Sequence, residues 1–222
     1  MTASRRDRHV RTCTGRLVAP AIIAHATLVD PTESHDMATT ATTLSEQEFR
    51  DLALSDEDRF WELWDGVPVK KPLMSIEHNS VAFFLGHLLQ SQLDRRQYRI
   101  TVNGDRARHS ARNFFIPDVI VIPVAYQASL DPRELGIYAE PLPFVAEVWS
   151  PSTGRYDMTA KLPRYRERGD QEIWYLYTYG HTLIAWRKQP DGTYTETSYA
   201  GGIVPVLSLP GVTIDLDALL DG

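Results

Sequence analysis

"FVAEVWSPSTGRYDMTAKLPRYRERGDQEIWYLYTY", residues 144–179, sets two short hydrophobic runs on either side of a polar, arginine-bearing stretch. "FVAEVW" and "EIWYLY" are rich in β-branched and aromatic residues and read as strands, and the segment between them predicts a helix over 159–168. Strand, helix and strand in that order indicate an α/β fold. One residue sits badly in this pattern. Glu147 places a carboxylate inside "FVAEVW", where burial without a cation or hydrogen-bond donors costs several kcal/mol. Something must meet it, and the first lysine after it, Lys161, comes on the following helix.

Outward from this unit the chain keeps alternating. "YRITVN", "FFIPDVIVIP" and "TLIAWRK" read as further strands, the last paired with "EIWYLY" through a hairpin around Tyr179, Gly180 and His181. "IPDVIVIP" and "IWYLY" are nearly continuous in hydrophobics, as central strands covered on both faces should be. Upstream, Val81, Phe84, Leu85, Leu88, Leu89 and Leu93 recur at helical spacing from Ile76 onward. "FWELW" and "VPVKK" flank Asp65-Gly66, a hairpin turn signal, and Ser45 with Glu48 has capping-box spacing for a short helix running to about Leu54. The closing "PVLSLPGVTIDLDALL" gives edge strands and a short final helix. The expectation is a mixed central sheet flanked by helices, preceded by an N-terminal β-hairpin, over residues 44–222.

Residues 1–43 read differently. A basic start, a leucine-poor apolar stretch broken by Pro20 and His25, and the low-complexity "MATTATT" suggest a disordered extension, or translation beginning at Met37. Nothing in the 222 residues approaches the roughly 18 consecutive apolar residues of a membrane span. Cys13 is the chain's one cysteine, which excludes an internal disulfide framework and fits a reducing cytoplasm. A net charge of −6 excludes a uniformly cationic nucleic-acid or membrane binder.

Asp118, entering "VIVI" after Pro117, is the second charge in a hydrophobic run. If its strand neighbours that of Glu147, two carboxylates converge, and a hard divalent cation relieves their repulsion. Mg²⁺ takes one or two protein carboxylates and leaves the rest of its octahedral shell to water and substrate phosphate. A lysine ammonium beside it would orient or help deprotonate a metal-bound water and offset charge building on a phosphodiester under attack. Pro163 is tolerated in a first turn, so the helix starts close to Lys161, and Asp157 reads as its cap, with a supporting place around the metal site as the alternative.

"PDVIVI", "EVWSPST" followed by the aspartate and "KLPRY", and "GDQEIWYLY", in that order, resemble the motifs of the Uma-two family of restriction-endonuclease-like proteins, within the PD-(D/E)XK nuclease superfamily. "WELWDGVPV", "IEHNSVAFFLGHLL" and "LPGVTIDLDALL" are similar to that family's hairpin, first core helix and ending, so the resemblance covers residues 44–220. It implies a restriction-endonuclease-like core and a Mg²⁺-dependent endonuclease, with Mn²⁺ as substitute, acting on nucleic acid, DNA first. By the same resemblance Asp118 and Glu147 are the metal ligands, Lys161 on the helix is the catalytic lysine, and His78 and Glu62 complete the catalytic set. Tyr177 stands where relatives commonly carry an aspartate, a departure that touches local packing or specificity rather than the acidic motif.

Two arginine-rich segments, Arg95 to Arg112 and Arg155 to Arg168, offer phosphate contacts or ordinary solvated faces. Homodimerisation would suit cutting two strands. The alternative function is a nuclease-fold binding or assembly module that no longer cleaves. No P-loop, nucleophile elbow, HExxH or dinucleotide fingerprint competes with these readings.

Overall fold

Proline decides how the long run at 114–123 folds. The computed structural model, which describes residues 42–56, 60–128, 131, 133–150 and 154–221, splits that run into two strands in different sheets. Residues 1–41 of the expected extension, Cys13 and Met37 among them, lie outside the described residues. Strand β5 (Asn113–Phe115) belongs to a five-stranded sheet with β1 (Trp61–Trp64), β2 (Val67–Lys70), β4 (Arg106–Ser110) and β7 (Ile137–Tyr138), in the order β2-β1-β5-β4-β7. Strand β6 (Val119–Pro123) belongs to a six-stranded sheet with β3 (Tyr98–Val102), β8 (Phe144–Val148), β9 (Glu172–Tyr177), β10 (Thr182–Lys188) and β11 (Tyr194–Tyr199), ordered β11-β10-β9-β8-β6-β3. Pro117 has no N–H to give a ladder, so Ile116-Pro117-Asp118 crosses from one sheet to the other.

The six-stranded sheet is mixed: β8 and β9 are parallel and the other pairs antiparallel. Alternation sorts its two faces. Val119, Val121, Phe144, Ala146, Val148, Trp174 and Leu176 pack with Leu85 and Leu89 of α2 (Ile76–Gln92) and with the ribbon β12 (Ile203–Pro205) and β13 (Thr213–Asp215). Ile120, Ile122, Val145, Ile173 and Tyr175 pack on the opposite side with Leu162 and Tyr165 of α4 (Leu162–Arg168) and with Ala107 and Phe115 of the five-stranded sheet. The expected central strands are thus covered on both faces. Trp174 and Tyr175 are fully buried.

The hairpin turns at Asp65 (φ 48°) and Gly66 (φ 89°), the left-handed pair that two-residue hairpins require. Helix α1 (Glu46–Ser55) starts on the expected capping box, with the Glu48 carboxylate accepting from the Ser45 N–H at 2.8 Å, and α5 (Leu216–Asp221) closes the chain. No helix among the described residues is long and apolar enough to cross a membrane.

Two expectations are corrected. The segment after β8 becomes helical at α3 (Gly154–Tyr156), not at 159, and continues through a π-helical turn, Asp157–Lys161, into α4. Leu162 N–H donates to Asp157 C=O, five residues back; this wider turn is what lets Pro163 follow inside a helical run. Nor is the first arginine-rich segment solvated throughout: residues 106–110 form β4, with Arg106 almost fully buried and donating to the Trp61 carbonyl at 3.2 Å.

Candidate active site

The crossing at Ile116-Pro117-Asp118 leaves backbone groups outside any ladder, and side chains meet them. Ile116 N–H donates to Glu62 Oε1 of β1 at 2.7 Å, and the Ile116 carbonyl accepts from Lys71 Nζ at 2.8 Å. Asp118 follows directly. Continuing the β6–β8 register from Val119–Ala146 sets Asp118 opposite Glu147, on the side of the sheet that α4 covers. The crossing and the π turn together bring all the predicted residues to one place.

Asp118, 2% exposed, is held by both oxygens. Oδ1 accepts from Lys71 Nζ at 2.8 Å; Oδ2 accepts from Val148 N–H at 2.7 Å and lies 2.9 Å from His78 Nε2. Burial opposes its ionisation, but Lys71, His78 and Lys161 outweigh that and hold the carboxyl well below its usual range. His78 sits near the start of α2, its N–H donating to the Ser75 cap, and among the described residues neither of its buried ring nitrogens has an aligned hydrogen-bond partner, Nε2 lying close to Asp118 without that alignment.

Lys161 is the hub of the second half. Its Nζ stands 3.1 Å from Glu62 Oε1, 3.2 Å from Glu147 Oε1 and 3.2 Å from Asp157 Oδ1. Burial works against its charge, yet Glu147, Glu62, Asp157 and Asp118 push its pKa well above the ordinary lysine value, so the ammonium persists. Glu147 also accepts from the Tyr165 hydroxyl at 2.6 Å, and Glu62 Oε2 from the Tyr156 hydroxyl at 3.2 Å. Burial, together with repulsion from Asp157 and Asp118, drives the Glu147 carboxyl well above its normal pKa against the pull of Lys161. Asp157 is raised by burial too; it is no helix cap but an ion-pair partner of Lys161 within the π turn.

Glu62, Lys71, Asp118, Glu147, Tyr156, Asp157 and Lys161 line one cavity of about 10 Å³, room for a single water-sized particle. A larger pocket of about 420 Å³ adjoins it through the shared Lys71, Pro72 and Met74, and is also lined by Phe60, Lys70, Leu73, Asn79 and Asn103. The carboxylates are hard oxygen donors of the kind that suit Mg²⁺ or Mn²⁺. Among the described residues no three His, Cys, Asp or Glu side chains converge as a ready metal-binding group; ammonium groups stand between them. Mg²⁺ commonly takes only one or two protein carboxylates, and Asp118 and Glu147, opposite each other at the end of the β6–β8 ladder, both line this cavity.

Sequence reasoning named Glu62, His78, Asp118, Glu147 and Lys161, and all five meet here. It missed Lys71, Tyr156 and Tyr165 and misread Asp157. The i,i+4 spacing of Asp157 and Lys161 was a legible sign of an ion pair on one helix face. The arginine segments are largely committed elsewhere: Arg168 donates to the Tyr138, Glu140 and Arg108 carbonyls and pairs with Asp170, Arg108 pairs with Glu46, and Arg164 with Glu167.

A family model described as Uma2, "Putative restriction endonuclease", matches residues 46–217. Among solved structures the chain is similar to "a putative nuclease belonging to DUF820" from Anabaena variabilis ATCC 29413, with a TM-score of 0.65 and 17% identity, over 80% of this chain and 98% of that one. At that identity the likeness carries the nuclease fold. No curated protein matches the chain.

Proposed function

The chain belongs to the Uma2 family, and from that premise we propose that it is a metal-dependent endonuclease that hydrolyses phosphodiester bonds of nucleic acid, with DNA as the favoured polymer, in the cytoplasm. The observation that carries this reading is the cavity where Glu62, Asp118, Glu147 and Asp157 surround Lys161 beside a pocket of about 420 Å³.

Asp118 and Glu147 would hold Mg²⁺, or Mn²⁺ in its place; the bound ion would supply Lewis-acid polarisation of the scissile phosphate and a more acidic water. The chain's own residues do the rest. Val148 N–H fixes Asp118 Oδ2, and the Tyr165 hydroxyl fixes Glu147 Oε1, so neither carboxylate must be ordered at the moment of reaction. Lys161 pairs with three carboxyl groups in the resting centre; its N–H groups would hydrogen-bond the charge that develops on the phosphate oxygens, the ammonium keeping its protons. Glu62 anchors the Ile116 amide and keeps the crossing, and with it Asp118, in place. His78 steadies Asp118 from the α2 side.

The test is cleavage of labelled single- and double-stranded DNA and RNA with Mg²⁺ or Mn²⁺. Asp118→Asn is expected to lower the rate by at least about 10²-fold while leaving the circular dichroism unchanged, an effect on the scale of removing one electrostatic stabiliser. Equal rates in variant and wild type would refute the assignment. A second reading, a nuclease-fold binding module, draws on one observation: Lys161 already supplies a cation to the acids. It predicts no cleavage of any polymer with either ion.

A further inference from the structure

Lys71 lies directly after β2, and its backbone N–H continues the hairpin by donating to the Phe60 carbonyl at 2.8 Å. Its side chain turns inward until the ammonium is 6% exposed. There Nζ donates to Asn103 Oδ1 at 2.7 Å, the Ile116 carbonyl at 2.8 Å and Asp118 Oδ1 at 2.8 Å. An ammonium has three protons, and all three are used. Lys71 therefore has nothing left to offer a substrate while it stays in this position; it behaves as a bound cation on a tether.

The segments that carry these oxygens are placed without its help. Ile116 is fixed through its N–H on Glu62. Asn103 sits at φ 51°, a left-handed conformation that asparagine tolerates better than most residues, and its N–H donates to the Asp118 carbonyl at 2.9 Å. Asp118 is pinned from its other oxygen by Val148 N–H. One carboxylate, one side-chain amide carbonyl and one main-chain carbonyl are donor types that Ca²⁺ commonly takes, and would supply three of its roughly six to eight oxygens, with water completing the shell. Size agrees: contacts of 2.7–2.8 Å need close by only a few tenths of an ångström to reach the 2.3–2.6 Å of Ca²⁺, whereas Mg²⁺ at 2.0–2.1 Å requires a much larger collapse.

We propose that Lys71 is a tethered cation filling a preformed oxygen cage made by Asn103, Ile116 and Asp118, and that this cage takes a Ca²⁺-class ion once the ammonium is removed. The cage is distinct from the place where Lys161 meets Glu62, Glu147 and Asp157, although Asp118 borders both. The inference does not depend on whether the centre cleaves nucleic acid.

Equilibrium dialysis with radioactive Ca²⁺ tests it on the full-length chain. Lys71→Ala is expected to bind one more Ca²⁺ per chain than wild type, with a dissociation constant on the order of 10⁻⁴–10⁻³ M, as for sites of few charged ligands. Lys71→Ala combined with Asn103→Gly, which keeps the left-handed backbone but deletes the amide oxygen, should lose the added ion. Equal ion counts for wild type and Lys71→Ala overturn the proposal. If Lys71→Ala is unfolded in chelator, Ca²⁺ should restore its native circular dichroism with a one-ion dependence; failure to do so is equally fatal. The count in wild type is a separate readout: a wild type that takes up neither Ca²⁺ nor Mn²⁺ counts against the metal-dependent reading of the acid centre, while the difference between the two proteins still judges the cage.

Discussion

Glu147 shows how a residue can be costly and retained. Removing one partner of a buried ion pair usually destabilises, because the other charge is left uncompensated. Lys161, however, faces Glu62 and Asp157 as well, so the ammonium stays paired when Glu147 is neutralised. Its raised pKa gives the sign. In the unfolded chain Glu147 titrates near 4.3; in the native state it holds its proton to higher pH. Its contribution to stability is therefore full below the unfolded value and is lost as pH rises toward the folded one. Glu147→Gln should match wild type near pH 4 and exceed it at pH 8 by about 1–2 kcal/mol, a rise in Tm of roughly 2–8 °C for a chain of this size. Differential scanning fluorimetry in chelator across that range checks it, and a lower Tm at pH 8 would contradict it. The same variant should lose cleavage, the expected trade between stability and an acidic site.

At the scale of elements, α2 is what brings His78 to Asp118, and it does so by lying hard against β3. A Cβ added at Gly86 would come within 2.6 Å of Val102 Cγ2. Gly86→Ala gains about 1 kcal/mol of helix propensity but forces α2 outward, for a net loss of about 1–2 kcal/mol. Val102→Ala added to it removes the obstruction and should return stability to within about 1 kcal/mol of wild type. Urea denaturation of the two variants measures this; additive losses would mean the contact does not set the spacing. These elements were legible because an unbroken apolar run, "VIVI", marks a strand covered on both faces and a 3.6-residue period survives from Val81 to Leu89. The second sheet was legible only in its β1–β2 hairpin. Residues 106–110 read as a polar, basic stretch, since Arg106 and Arg108 find their partners at Trp61 and Glu46, 45 and 62 positions away. Lys71 was hidden for the same reason: its three acceptors lie 32 to 47 residues downstream. Pro117 did signal a break, but what the break joins is a tertiary fact.

For the whole molecule the question is how a chain of net charge −6 meets a polyanion. Most of the described arginines that looked like a phosphate footprint have partners within the chain: Arg106 and Arg168 are buried, Arg96, Arg108 and Arg164 are in ion pairs, and Arg112 donates to the Asp65 carbonyl, while Arg95, Arg99 and Arg166 stay exposed. Lys70, exposed on the lining of the large pocket, is a cation still directed outward beside the site. Binding should then release few counterions. With about two to three phosphates neutralised, log K for a short oligonucleotide should fall with log salt at a slope of about −2 to −3. The measurement is fluorescence anisotropy with the Asp118→Asn chain, so that no strand is cut during titration, between 50 and 300 mM salt as order-of-magnitude limits. Lys70→Ala should flatten the slope by about 1. A slope steeper than about −5 would mean a basic surface far wider than the ion pairing of these arginines leaves available.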